Sequence, residues 1–239
     1  MLDHSANSGR HTLAVRGLDL YETPAPATRA LLAVESLPPV IWEPACGPGA
    51  IVRVLRATGR TVIASDIVDY GCPDSSGGVD FLKAGLACDC VVTNPPYRDA
   101  EAFVRHAIAL GASKIVMLLR LAFLESSKRT PLLDSGMLAR VHVFKERLPM
   151  MHRHGWSGPR ASSAIPFAWF VWDRVQNGPP TLHRISWREH CAKAQDQRRL
   201  INVEKQTQRL GQSKRAAMAE GNYPCGRSHD DRRRNGTQN

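Results

Sequence analysis

A carboxamide, two imino acids and a phenol stand in a row at Asn94-Pro95-Pro96-Tyr97, directly after the apolar run Cys90-Val91-Val92-Thr93. The run is short and partly β-branched, as expected of a strand buried on both faces. The two prolines lack N–H donors and cannot continue a central ladder. Each also pushes the residue before it toward an extended conformation. The product is a stiff corner at the carboxyl end of a strand, where open α/β sheets place their ligands. The side-chain oxygen of Asn94 and the main-chain carbonyl of Pro95 can both accept hydrogen bonds from an amino group held before them. Tyr97 offers a flat face on which a planar ligand can stack. The same residues also fit a plain strand-ending turn with a tyrosine packed beneath it.

A second set of residues lies upstream. Residues 40–42 read as a strand that runs into Glu43-Pro44-Ala45-Cys46-Gly47-Pro48-Gly49, followed by a helix over 51–58 that Gly59 ends. Strand, glycine turn and helix in that order form a nucleotide-site arrangement. Gly47 and Gly49 let the backbone approach a ligand closely. The third glycine of a dinucleotide fingerprint is missing, which suits a ligand without a pyrophosphate. Asp66 ends the next strand, 61–66, roughly twenty residues beyond the turn, the spacing at which a carboxylate takes ribose hydroxyls. A capping aspartate at a strand end is the alternative. After a Gly/Ser loop over 71–78 comes Val79-Asp80-Phe81-Leu82, where Asp80 could also cap a helix.

Four motifs thus occur in one order: Tyr21-Glu22-Thr23-Pro24, Glu-Pro-x-x-Gly-x-Gly, an acid after the second strand, and Asn-Pro-Pro-Tyr. In this order they resemble the class I S-adenosylmethionine-dependent methyltransferases, and among them the phage-type enzymes that methylate the adenine amino group of DNA. The resemblance spans roughly residues 18–175. It implies an α/β, Rossmann-like fold with a seven-stranded, mainly parallel sheet, helices on both faces, and an antiparallel last strand around 167–172. It implies S-adenosylmethionine as cofactor. Glu43 would meet its methionine amino group, Asp66 its ribose, and Asp80 and Phe81 its adenine. Tyr21, Thr23, Pro24, Ala45, Gly47, Gly49, Ile67 and Asn94 would complete the contacts. Asn94, Pro95, Pro96 and Tyr97 would be the catalytic set, holding the target amino group in line with the methyl group. Related loops occur in methyltransferases of RNA bases and of protein glutamine. Asn at the first position, rather than Ser, favours adenine over cytosine. A noncatalytic nucleic-acid-binding protein with a decayed cofactor site is the alternative of another class; the intact glycines and acids argue against it.

The elements that must position these residues alternate along the chain. Helices are expected over 25–35 and 98–110, the first starting with Thr23 as N-cap and Pro24 in its first turn. A strand is expected over 114–123, a short helix near 131–138 and further strands over 141–144 and 167–172. Residues 145–166 place Lys145, Arg147, His152, Arg153, His154, Trp156 and Arg160 in a glycine-containing loop. Trp156 and Arg160 are candidate substrate contacts, one to stack and one to grip phosphate; a solvated surface loop is the alternative. His152 and His154 lack a third ligand, so no metal is expected.

A net charge of +10 suits a polyanionic partner, and the resemblance implies DNA before RNA. Residues 1–17 read as irregular, 18–188 as the methyltransferase domain and 189–239 as a basic, partly helical or disordered tail. That tail carries eleven Lys and Arg against six Asp and Glu, a source of salt-sensitive affinity. The six cysteines include no C-x-x-C pair and read as reduced thiols of a cytoplasmic protein. No secretion signal opens the chain and no run approaches a membrane span. The chain leaves no room for a sizeable target-recognition domain, which implies a short or loose target, a partner or an RNA substrate. The sequence sets no oligomeric state.

Overall fold

The apolar runs become the middle of one sheet. The computed structural model describes residues 20–150, 164–176 and 178–191. Its strands are β1 (Val40–Glu43), β2 (Thr61–Ser65), β3 (Ser75–Ser76), β4 (Cys90–Thr93), β5 (Lys114–Arg120), β6 (Leu138–Phe144), β7 (Phe167–Asp173) and β8 (Thr181–Ile185). They lie in the order β3-β2-β1-β4-β5-β7-β6-β8. All neighbours pair in parallel except β7, which is antiparallel to both β5 and β6. The helices are α1 (Ala25–Leu32), α2 (Ala50–Arg56), α3 (Ala100–Ala109) and α4 (Thr130–Leu133).

Side chains that alternate along each strand divide the core between the two faces of the sheet. Ile41, Val92, Val116, Leu118 and Trp169 pack with Leu31 of α1 and Ile51 and Leu55 of α2. Trp42, Val91, Ile115, Met117, Leu119 and Trp172 pack on the opposite face with Phe103 and Ala107 of α3 and Leu132 of α4. Buried indoles need a partner for their N–H. Trp42 donates to Ser65 Oγ at 2.9 Å, and Trp169 donates to the Ala27 carbonyl at 3.0 Å, which ties α1 to β7.

The structure differs from the expectations of the sequence in four places. The sheet has eight strands among the described residues, not seven. The antiparallel strand falls where expected but is not the last, because β8 follows it and pairs in parallel with β6 at the far edge. Four of the five β8 residues are exposed, so no apolar alternation marks it in the sequence. The strand expected over 114–123 stops at Arg120, where Leu121–Leu124 turns as a 3-10 helix. Finally, α1 begins with Pro24, not Thr23, at the N-cap, and no side chain caps it. Residues 1–19, 151–163, 177 and 192–239 lie outside the described residues, and with them the expectations for the leading segment, Trp156, Arg160 and most of the basic tail. Among the described residues no helix is long and apolar enough to cross a membrane.

At the end where β5 and β6 begin and β7 ends, charges meet in a closed group. Arg140 binds Glu35 in a fork and reaches Asp173 Oδ2 at 3.0 Å. Lys114 Nζ lies 3.2 Å from Asp173, and His142 Nε2 lies 2.7 Å from Glu35 Oε1. Burial by itself would raise the Glu35 pKa, but the hydrogen bonds with His142 and Arg140 outweigh it and bring it to about 2. A carboxylate whose folded pKa is depressed stabilises the fold above its unfolded pKa and loses that effect as pH falls toward the folded value. Glu35→Gln should therefore cost about 3 kcal/mol at neutral pH. In urea titrations the gap from wild type should narrow as pH drops from 4.5 toward 2. A gap that stays constant over that window would rule out the charge as its source.

Candidate active site

Strands β1 and β4 are parallel neighbours, with Trp42 beside Val91. The chain after β1 goes through α2 to β2 on one side of the pair; the chain after β4 goes through α3 to β5 on the other. This reversal of strand order is where ligands bind in open α/β sheets. It brings the glycine turn and the Asn-Pro-Pro-Tyr corner together at one edge.

Glu43, the last residue of β1, is 1% exposed. It accepts a hydrogen bond from the Val52 amide, while its Oε2 is buried with no partner. Gly47 and Gly49 both have positive φ, +51° and +87°. The Gly47 N–H donates to Asp66 Oδ2 at 2.8 Å, and Asp66 Oδ1 accepts from the Val68 N–H at 3.1 Å. The carboxylate therefore locks the glycine turn to the end of β2 and keeps only its remaining lone pairs for a ligand. A Cβ at Gly49 would lie 2.5 Å from Cys72 Sγ, and one at Gly47 would lie 2.9 Å from Leu20 Cδ1. Gly47 is thus needed for its conformation, and Gly49 for conformation and space.

Asn94 Nδ2 donates to the Tyr21 carbonyl at 3.0 Å. A main-chain carbonyl only accepts, so this bond sets which way the carboxamide faces. The opposite atom, Oδ1, is buried and has no partner. Tyr97 is half-buried, with its ring centroid 5.6 Å from Tyr21 and 5.5 Å from Phe167 in tilted contacts. The Arg120 guanidinium stands over the same ring, 4.6 Å from its centroid.

A cavity of about 480 Å³ joins these parts. That volume lies within the usual range for small-molecule sites. Tyr21, Thr23, Glu43, Ala45, Gly47, Asp66, Ile67, Asp80, Phe81, Asn94, Pro95, Pro96 and Tyr97 all line it. Pro24 and Gly49, although expected at the site, are not among the lining residues; they shape the backbone beside it. Asp80 caps the 3-10 turn Phe81–Lys83 through the Leu82 amide and pairs with Lys83 at 2.9 Å. Phe81 turns its ring inward against Trp42, Phe103 and His106. The exposed apolar groups on that wall are Ile67 and Leu82. Leu20, Cys46, Tyr70 and Leu82 line the cavity without having been singled out in the sequence. Only for Leu82 and Cys46 was there a signal, their places inside motifs already read.

The cavity is electrostatically suited to a cation. Burial, then the nearby Asp66 charge, pushes the Glu43 pKa well above the ordinary carboxylate value. Burial also raises Asp66, against the hydrogen bonds from Val68, Gly47 and Ile67 that lower it. A positively charged ligand would relieve both. Among the described residues no cluster of three or more His, Cys, Asp or Glu is placed to hold a metal ion.

No protein-family model matches the chain, and no curated protein matches it in sequence. Its fold is nevertheless similar to solved structures. A Pyrococcus horikoshii protein assigned as an RNA methyltransferase superposes with a TM-score of 0.52 at 12% identity, over 70% of this chain and 91% of that one. The modification subunit assigned to a type I restriction enzyme of Vibrio vulnificus gives 0.49 at 12% identity, over 78% of this chain and 53% of the other. A Listeria monocytogenes protein assigned as a class I S-adenosylmethionine-dependent methyltransferase gives 0.46 at 16% identity, over 66% and 62%. The first of these similarities establishes the architecture: a Rossmann-like, methyltransferase-type α/β fold with one antiparallel strand within a mainly parallel sheet.

The glycine turn supplies a test of its own geometry. Gly59 has φ +80° and nothing within 4 Å of a built Cβ, so Gly59→Ala should cost about 1 kcal/mol from backbone strain alone. Gly49→Ala adds the collision with Cys72 and should cost roughly 2–4 kcal/mol. Chemical denaturation of the two variants measures the difference; equal losses would mean the turn has room to spare.

Proposed function

We propose that the protein is an S-adenosylmethionine-dependent methyltransferase acting on the exocyclic amino group of a nucleobase, adenine in DNA before others. One observation carries the reading. Asn94, whose Nδ2 is held by the Tyr21 carbonyl and whose Oδ1 is unpartnered, lines the same cavity as Glu43, whose Oε2 is unpartnered. Two buried polar atoms without partners are costly unless a ligand supplies the missing donors. An amino group of the substrate suits the first, and the ammonium of the methionine moiety suits the second. S-adenosylmethionine, when bound, supplies a methyl group already activated on a sulfonium.

The residues of the chain do the rest. The glycine turn lets the backbone approach the ligand, and Asp66 keeps lone pairs for ribose hydroxyls. Ile67 and Leu82 provide apolar surface for a purine ring, with Asp80 at its edge. Asn94 and the Pro95 carbonyl accept hydrogen bonds from the target amine, which favours a more tetrahedral nitrogen with its lone pair directed at the methyl carbon. The stiff diproline corner keeps that geometry, and alignment of this kind is the main source of rate enhancement expected. The target base must leave its stack to reach the corner, at a cost of a few kcal/mol. The net charge of +10 supports a nucleic acid as the partner.

Incubation with S-adenosylmethionine labelled in its methyl group, offered duplex DNA, single-stranded DNA, RNA and protein separately, tests the reading. Label is expected on the adenine amino group of DNA; label on protein alone, or on nothing, would falsify it. Asn94→Ala should lower turnover by at least about a hundredfold, the scale of a lost positioning contact. S-adenosylmethionine affinity should stay within a few-fold of wild type in calorimetry.

The raised Glu43 pKa predicts a pH dependence with a definite sign. A cationic ligand favours the ionised carboxylate, so binding releases a proton wherever Glu43 is protonated in the free protein. Affinity should therefore rise as pH climbs above the ordinary glutamate value of 4.5 toward the raised one. Calorimetry in two buffers of different ionisation enthalpy counts the proton. In Glu43→Gln both the release and the pH dependence should vanish.

A further inference from the structure

Arg120 ends β5, three residues beyond the Met117 that pairs with Thr93, and so lies level with the Asn-Pro-Pro-Tyr corner. Its position in the register is opposite Phe167 on β7. The side chain is partly buried and its Nε is fully buried without an acceptor. Among the described residues it makes no ion pair, and its guanidinium stands over the face of Tyr97.

The Nε of Arg120 is thus removed from water without a partner, which carries a cost that an incoming acceptor could offset. Carboxylates near the corner are already engaged elsewhere. Asp99 holds Arg98, and Glu101 holds Arg105 and Arg129. The chain from Arg147 to Pro166, whose last carbonyl accepts the Leu121 amide, contains no Asp or Glu at all. Arg120 is also not among the residues lining the cavity, although Tyr97 is. The cation therefore sits on the Tyr97 ring but outside the space fitted to S-adenosylmethionine.

We infer that Arg120 is a substrate-positioning residue that binds a backbone phosphate of the target nucleotide. This inference rests on the nucleic-acid reading above. Arginine suits the task because its planar fork can donate two parallel hydrogen bonds to one phosphate. The same planar group stacks on an aromatic face, so Arg120 can cover the Tyr97 ring or yield that face to a base while gripping the phosphate beside it. Base and phosphate of one nucleotide would then be held by neighbouring side chains at the ends of β4 and β5.

Binding of an adenine-containing single-stranded oligodeoxynucleotide, measured against salt for wild type, Arg120→Gln and Arg120→Lys, tests this. Arg120→Gln should weaken binding and raise the oligonucleotide KM by about tenfold, the effect of one lost charge-assisted bond. The slope of log affinity against log salt should fall by about 0.7, one phosphate contact on a single strand. Arg120→Lys should restore the slope while recovering only part of the affinity, and the S-adenosylmethionine Kd should be unchanged in both. A merely structural cation would leave the salt slope untouched, and that result, or a parallel loss of S-adenosylmethionine affinity, would overturn the assignment. Should wild-type protein bind and methylate no nucleic acid, the functional reading fails and the inference with it. Should wild type be active while Arg120→Gln keeps its KM and salt slope, the inference alone fails.

Discussion

Two neighbouring parallel strands end level with each other, and the chain leaves them toward opposite sides of the sheet. Everything at the site follows from that arrangement of β1 and β4. With no connection crossing above them, the space between their ends is left for a ligand. The residues that end the two strands are then decisive. Glu43 and the glycine turn close one, and Asn94 with its prolines closes the other.

The segment before α1 ties the two together. The Tyr21 carbonyl takes the Asn94 amide, and the Tyr21 ring packs against Tyr97. Leu20 lies against Gly47 on the opposite wall. A single extended stretch thus touches both strand ends. It fixes the one rotational choice, amide oxygen against amide nitrogen, on which the acceptor chemistry of Asn94 depends.

Charge is distributed unequally between the two ends of the sheet. Where β5 and β6 begin, Glu35 and Asp173 meet Arg140 and Lys114, so that opposite charges are matched, and His142 hydrogen-bonds with Glu35. At the other end Glu43 keeps an oxygen without a donor, Asn94 keeps another, and Arg120 has a ring for company. Unpartnered buried atoms are not confined to that end, since His142 Nδ1 and Thr28 Oγ1 also lack partners, but those of Glu43 and Asn94 belong to residues that line one cavity, where a ligand can complete them.

Much of this was legible in the chain because it depends on local backbone chemistry. Prolines end a strand whatever surrounds them, glycines at positive φ make the turn, and a short unbroken apolar run declares a buried strand; so β1, β2, β4, β5, β6 and the antiparallel β7 were visible, with residues at their ends. The edge strand β8 was not, because an exposed strand has no apolar period and exists only where a neighbour offers its ladder. Tertiary structure alone decided that Asp66 serves the glycine turn through the Gly47 amide, that the Phe81 ring packs against Trp42 and Phe103 while Leu82 stays exposed, and that Arg120 comes to rest on Tyr97. Each of those outcomes is a contact between residues distant in sequence. Residue type tells what a side chain can bond, but only the packed sheet determines which partner comes within reach.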